Sequence, residues 1–311
     1  MSSRNVRVGS AGSRTASGME MILTLTQYVV VTAVRDEEDF LPRTIESMVR
    51  QTVLPEEWII VNDGSTDRTG KIIEEAAGRY PWIQAVHRPD RGYRKWGGGI
   101  IESFYSGFET LACRDWRFMC KLDGDLSFGT TYFEDAIGKF NRTPKIGIGG
   151  GVLYHYESGA KVLERHPLFH VRGGVKIYRR ECWDALGGLW IGAGSDTVDE
   201  VKANMLGWGT ASFTDLHLIH HRPTGASWGR WGGMVKDGRI DYAYGSHPAF
   251  LLAKAIVRLP RRPYLIHSAA LVYGYIRAYA EKIPRVDDPA LIRYLRTQQL
   301  NRLLGRETIW K

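Results

Sequence analysis

The sequence predicts an α/β domain built on a mostly parallel central sheet with helices on both faces. Three observations lead there. Tyr28–Ala33 reads YVVVTA, apolar and rich in β-branched residues, as suits a strand buried on both sides. Strand-like runs then alternate with segments of helical spacing as far as Leu122. Polar, acidic turns stand at the carboxyl ends of these runs, where parallel sheets gather their ligands.

Taken in order, Asp36–Asp39 is an acidic turn after the first strand. Leu41–Gln51 has helical spacing, with Leu41, Ile45, Met48 and Val49 on one side. Trp58–Val61 is the second strand, Asn62–Asp67 its polar turn, and Thr69–Gly78 a helix that Gly78 would end. A third strand is expected at Trp82–His87, a helix from Gly97–Gly99 to Leu111, and a fourth strand at Trp116–Leu122. The second half is less regular. Ile146–Tyr156 and Gly173–Arg179 read as mixed or antiparallel strands, Asp196–Leu206 as a helix closed by Gly207, and Ser212–His220 as a short strand. From Pro248 the chain reads as amphipathic helices broken at prolines. Asp288 is placed to cap the last of them, with Pro289 in its first turn and Gly305 after its end.

A length of 311 residues allows one large domain or two small ones, and 43% hydrophobic with 24% charged residues is ordinary for a globular protein. Cys113, Cys120 and Cys182 have neither metal-ligand nor paired spacing, which suits small core residues in a reducing, cytoplasmic compartment. Residues 1–20 are expected to be a disordered leader without the apolar core of a secretory signal. No run of 18–20 uncharged apolar residues is present to span a bilayer. The formal charge of +8 is uneven. Residues 251–311 hold twelve Lys/Arg against four acids, a net +8, so the first 250 residues balance to zero. Basic residues flanking apolar–aromatic helices suit an anionic membrane surface bound through residues 250–311, with a homodimer as the competing reading. Nucleic acid is not expected, because no recognition module accompanies the charge. The chain thus divides into the leader 1–20, a first half 21–130 and a second half 131–235 of one domain, and a helical segment 236–311.

Two acidic signatures carry the chemistry: Val61-Asn62-Asp63-Gly64-Ser65-Thr66-Asp67, and Lys121-Leu122-Asp123-Gly124-Asp125. Two carboxylates around one small residue can converge on a divalent cation, and Mg²⁺ or Mn²⁺ prefers such oxygen ligands while keeping substrate phosphates in its shell. A plain turn is the alternative for an isolated Asp-x-Asp.

Val34-Arg35-Asp36-Glu37-Glu38, Leu41-Pro42-Arg43-Thr44-Ile45-Glu46-Ser47 and Gln51-Thr52 resemble the opening of inverting glycosyltransferases of family 2. Val61–Thr69 resembles that family's next block, and Asp123-Gly124-Asp125 its metal motif. The resemblance is specific from Tyr28 to Asp125, looser to Trp208 and vague beyond about residue 230. It implies a Rossmann-like GT-A fold, Mg²⁺ or Mn²⁺ as cofactor, and a UDP-, GDP- or dTDP-linked sugar as donor for a glycan or lipid-linked acceptor. It implies residues 21–130 as the nucleotide-sugar-binding half and residues 131–235 as the acceptor half. It also implies that Ala33, Arg35 and Glu37 line the nucleoside pocket and that Asp63 contacts the base. Arg94, Lys95 and Gly124 would lie against the nucleotide sugar. Asp125 would hold the metal, with Asp123 facing the ribose or a bound water. Arg35, where the family often has an aromatic or small residue, and Asp36, where Asn is common, blur the base preference.

Direct displacement at an anomeric carbon needs a carboxylate to take the acceptor proton. The candidates lie in Gly194-Ser195-Asp196-Thr197-Val198-Asp199-Glu200. The family resembled usually has Glu-Asp at a helix start about eleven residues before a Gly. Counting back from Gly207 reaches Asp196, so the resemblance implies Asp196 as base, with Asp199 second. A helix N-cap is the alternative role for Asp196. The resemblance implies that a His near this place completes the metal shell; His220 and His221 point to opposite faces of a strand, so only one can serve, and His221 is slightly favoured. Arg222 would face the leaving diphosphate. Trp183, Trp190, Trp228 and Trp231 are either core or stacking residues. A sugar-phosphate nucleotidyltransferase would want a glycine-rich basic loop after the first strand, where this chain has Arg35-Asp36-Glu37-Glu38-Asp39. A membrane scaffold that binds nucleotide without turnover is the non-enzyme alternative.

Overall fold

The computed structural model describes residues 26–93, 95–222, 229–260 and 264–310, with residues 229 and 230 described by their backbone alone. The expected leader and the expected contributions of Arg94, Trp228, Arg261 and Arg262 lie outside the described residues. The first half alternates as the sequence predicts. Strands β1 (Tyr28–Val34), β2 (Glu57–Asp63), β3 (Ile83–Arg88) and β4 (Phe118–Leu122) pair in parallel in the order β3-β2-β1-β4. Helices α1 (Leu41–Val49), α2 (Thr69–Arg79) and α3 (Gly99–Phe108) connect them.

After β4 the sheet becomes mixed. It continues through β8 (Val175–Arg179), β6 (Ile146–Glu157), β9 (Gly209–His220) and β5 (Leu126–Phe128), and β7 (Ala160–Leu163) hangs on β6. β8 is antiparallel to β4 and to β6, whereas β6 and β9 are parallel. Six strands, β1–β4, β6 and β9, therefore run one way, and β5, β7 and β8 oppose them.

The alternation of side chains along β1 shows why the sheet is covered twice. Tyr28 and Val30 enter a core built with Leu41 and Met48 of α1, Ile73 of α2, and Phe133 and Phe140 of α4 (Tyr132–Arg142). Val29 and Val31 enter the opposite core, with Phe104 of α3, Trp183 of α5 (Arg180–Leu186) and Ala203 of α6 (Ser195–Met205).

Four helices follow: α7 (Gly229–Ala243), α8 (Pro248–Arg258), α9 (Ile266–Ala280) and α10 (Pro289–Leu303). α7 begins ahead of the expected boundary at 236 and crosses α9 closely. A Cβ on Gly238 would lie 1.9 Å from the Leu271 carbonyl oxygen, and one on Gly274 2.1 Å from that of Val235, so the crossing requires glycine on both helices. α10 packs Leu291 and Leu295 against Val198 and Val201 of α6, and Asp288 caps it by accepting from the Leu291 amide at 2.9 Å. Gly78 lies inside α2 rather than ending it, and β9 is twelve residues long rather than short. No helix among the described residues is long and apolar enough to cross a membrane.

Candidate active site

The loops at the carboxyl ends of β1 and β2 are sewn together by their own acids. Asp36, at φ +54, accepts from the Thr66 amide at 2.8 Å, and its amide donates to Ser65 Oγ at 3.0 Å. The Glu38 amide donates to Asp67, while the Arg68 amide donates to Glu38. Asp36, Glu38 and Asp67 thereby accept from backbone amides, and against its burial Asp67 is held below its usual range by the Thr69 hydroxyl together with the Thr69 and Glu38 amides. Of this acidic turn, Glu37 makes the long-range ion pair, to Arg222 at 2.7 Å, and the Arg222 guanidinium lies 5.2 Å above the Phe40 ring.

Asp63, at the end of β2, is clamped by Arg88 and Arg91, at 2.7 and 2.5 Å. A carboxylate has about four acceptor positions, so Asp63 retains capacity for a base N–H. Arg35 pairs with Asp90 at 2.7 Å and reaches the Asp63 carbonyl. Ala33 stands in register with Val61 at the same end of the sheet. Lys95 pairs with Glu102 of α3. Arg88, Asp90 and Arg91 were not singled out in the sequence, although their place at the carboxyl end of β3 was the available signal.

The Asp-Gly-Asp turn sits where β1, β4 and β8 converge. Thr44 of α1 donates to the Gly124 carbonyl, the Asp123 amide to that of Gly174, and the His221 amide to that of Asp125. A Cβ on Gly124 would fall 2.3 Å from Val34 Cγ1, so no side chain fits between the two carboxylates. Lys121 donates to the Gly173 carbonyl at 2.6 Å and to Asp123 at 3.2 Å. On the other side of Gly173 lies the Asp196 carboxylate, 2.2 Å from where a Cβ on that glycine would be. Asp123, Asp125 and Asp196 thus share one acidic centre. Poor solvation, with Asp125 and Asp196 adding repulsion against the attraction of Lys121, raises Asp123. Burial would also raise Asp196, but Lys121 and Lys176, with His170 and Arg172 behind them, outweigh it and hold that carboxyl below its ordinary value.

Asp125 is 8% exposed, and its Oδ1 has no hydrogen-bond partner among the described residues. Its Oδ2 faces His220 Nε2 at 3.3 Å. The other ring nitrogen of His220 meets Glu164 at 2.7 Å, and Arg172 holds Glu164 in turn. Burial opposes the charge on His220, yet its bonds to Asp125 and Glu164 raise it to about 9. Glu164, despite burial, is lowered to about 2 by His220 and Arg172. The favoured His221 turns elsewhere: its ring contacts Arg43 and Ser127 and lines a cavity of about 390 Å³ with Glu46 and Arg50. Strand alternation explains the exchange, since only one of two adjacent side chains can face Asp125.

No three His, Cys, Asp or Glu side chains among the described residues form a ready metal cage. The orphaned Asp125 oxygen beside His220 nevertheless fits a cation that takes its remaining ligands from water and substrate phosphate.

Asp199 occupies a different place from Asp196. It is buried against Lys176 at 3.0 Å and accepts from Tyr178 at 2.5 Å. Lys176 also pairs with Glu200 at 2.8 Å and donates to the Asp196 carbonyl at 2.6 Å. Glu200 binds His170 and the Val171 amide. Burial raises Asp199 against the pull of Lys176, with Glu200 adding to the rise. Asp199 therefore anchors the first turn of α6 and does not face the acidic centre. Trp183 is core, Trp190 packs with the α6–α10 cluster, and Trp231 is exposed on α7. Cys120 and Cys182 are buried, Cys113 half-buried, and all three are free.

A mixed α/β sheet with acidic loops gathered at the carboxyl ends of its strands defines a GT-A-type domain. The glycosyl transferase family 2 model matches residues 29–185, and the chain belongs to that family. An uncharacterized glycosyltransferase, EpsJ, of Bacillus subtilis (strain 168) is 34% identical over 82 residues, covering 25% of this chain and 24% of that protein. Three solved structures share the fold. The mannosyltransferase PcManGT from Pyrobaculum calidifontis, in complex with GDP-Man and Mn²⁺, has a TM-score of 0.53 at 15% identity, over 90% of this chain and 88% of that one. S. aureus TarS 1-349 has a TM-score of 0.52 at 12% identity, over 82% and 72%. GalNAc-T7 with UDP, GalNAc and Mn²⁺ has a TM-score of 0.59 at 12% identity, over 91% and 55%.

Proposed function

We propose that this protein is an inverting, metal-dependent glycosyltransferase that moves a sugar from a nucleoside-diphosphate donor to an acceptor hydroxyl of a glycan or lipid-linked acceptor. The observation that carries the reading is the unpartnered Asp125 oxygen beside His220, in one centre with Asp123 and Asp196. Asp125 and His220 would hold Mg²⁺ or Mn²⁺, with Glu164 fixing the His220 tautomer. When bound, the cation supplies Lewis-acid stabilisation of the leaving diphosphate.

The protein's own groups do the rest. Asp63, Arg35 and Ala33 border the nucleoside side of the site, and Arg88 and Arg91 orient Asp63. Glu37 holds Arg222 at the site's edge, where it offsets phosphate charge. Asp196 takes the proton of the acceptor hydroxyl as its oxygen forms the new bond to the anomeric carbon. The bond from that carbon to the diphosphate oxygen breaks on the opposite side, and the electron pair leaves with the diphosphate. Lys121 and Lys176 keep Asp196 ionised and so ready to accept a proton at neutral pH.

The ligands of the neighbours, GDP-Man in one and UDP in another, set the donors to try first. The test is release of nucleoside diphosphate from UDP-, GDP- and dTDP-sugars with a panel of glycan and lipid-linked acceptors, in Mn²⁺ or in EDTA. Release from one donor in Mn²⁺ and none in EDTA is expected; equal release in both would overturn the metal-dependent reading.

A further inference from the structure

The C-terminal helices carry an apolar face that the domain leaves uncovered. α8 and α9 pack on each other through Leu251, Ala255 and Leu271. On their outer sides lie Leu252 and Ile256 of α8 and Ile266, Tyr273, Ile276 and Tyr279 of α9, between 47% and 69% exposed. Trp231 of α7, 6.3 Å from Tyr273, extends the face. Single exposed apolar residues are ordinary, but a run along two neighbouring helices marks a contact surface.

The face continues into positive charge. Tyr279 contacts Tyr242, whose ring lies 5.0 Å below the Arg285 guanidinium. Arg285, Arg293 and Arg296 line a cavity of about 560 Å³ with no carboxylate among the described residues of its wall.

We propose that this surface docks the protein on an anionic lipid bilayer, with the α8–α9 face lying in the headgroup–acyl boundary and the arginine cavity holding lipid phosphate. Helices of 11 and 15 residues are too short to span and suit an orientation in the plane of the interface. Tyrosine and tryptophan on the face match the interfacial zone, where an apolar ring body and a polar tip are both satisfied. A second copy is the poorer occupant. The Leu, Ile, Tyr and Trp side chains of the same face on a second copy would offer the arginine cavity no anionic group, which lipid phosphate supplies.

Docking is independent of the transfer reading, and a binding assay keeps the two apart. The full chain is sedimented with phosphatidylcholine vesicles and with vesicles of roughly one-third phosphatidylglycerol, at low and raised salt. Binding to the anionic vesicles, weakened by salt, is expected. Ile276→Glu and Arg293→Glu, both at exposed positions, are each expected to cut it about fivefold or more while leaving nucleoside-diphosphate release from a soluble acceptor reaction unchanged. Three outcomes would overturn the proposal: no binding to the anionic vesicles, binding indifferent to Ile276→Glu, or a dimer in light scattering that Ile276→Glu dissolves.

Discussion

Asp196 and Asp199 are three residues apart on one helix and have opposite fates. Lys176 reaches both, donating to the backbone carbonyl of one and the carboxylate of the other. Asp199, with Glu200, neutralises that buried lysine, which frees Asp196 to face the acidic centre. Asp196→Asn is expected to lower turnover about 10²- to 10⁴-fold with donor binding retained, whereas full activity in that variant would move the base elsewhere. The pH profile tests the same assignment. A carboxyl held below its ordinary value of 3.8 is ionised at every pH above that, so its loss of activity comes only as pH falls through the depressed value. The base should therefore add no acid limb to kcat/KM between about pH 5 and 8; an acid limb near pH 6 would indicate another group. Glu164 acts through His220. Glu164→Gln should weaken the Mn²⁺ dependence of donor binding about 10- to 100-fold, read as a shift in the Mn²⁺ titration midpoint at a temperature where the variant remains cooperatively folded.

At the scale of elements, buried ions rather than propensity hold the second half of the site. Removing one partner of a buried pair leaves the others uncompensated. Lys176→Met is accordingly expected to cost about 3–5 kcal/mol in chemical denaturation; a change below about 1 kcal/mol would show that water reaches Asp199 and Glu200. These elements also show what the sequence could reveal. β1, β2 and β4 were legible because each is a short apolar run ending in a turn with its own chemical signature. α4 was missed although Tyr132, Phe133, Ala136, Ile137 and Phe140 have helical spacing, since no chemistry drew attention to it. The start of α7, ahead of residue 236, was missed for a physical reason: Gly229 and Gly233 look like loop residues, and the close crossing with α9 that requires Gly238 is a tertiary constraint that no local pattern expresses. The choice between His220 and His221 was equally beyond the sequence, because register alone decides which of two neighbours faces Asp125. Asp63, Asp123, Asp125 and Asp196 stand out by their motifs, and the fold places the first three at the carboxyl ends of β2 and β4 and the fourth in the first turn of α6. Their supports, Arg88, Arg91, Glu164 and Lys176, come from separate elements and meet only on folding.

The whole molecule joins an acidic centre, formed where β4, β8 and α6 meet, to a basic and apolar helical unit that packs on α6 through α10. Net charge follows the same division, neutral over residues 1–250 and +8 over residues 251–311. On the proposed reading, metal and nucleotide would be held at one place while a different surface met the bilayer, so each could be altered without the other. The central claim is that Asp125 anchors a divalent cation on the donor diphosphate. It is tested most directly by calorimetric titration of UDP, GDP and dTDP into wild type and Asp125→Ala, with Mn²⁺ and with EDTA, alongside thermal unfolding of both proteins. Wild type should bind one nucleotide at least tenfold more tightly with Mn²⁺, and Asp125→Ala should lose that difference while unfolding cooperatively. A folded Asp125→Ala protein that keeps the full Mn²⁺ enhancement would contradict the account.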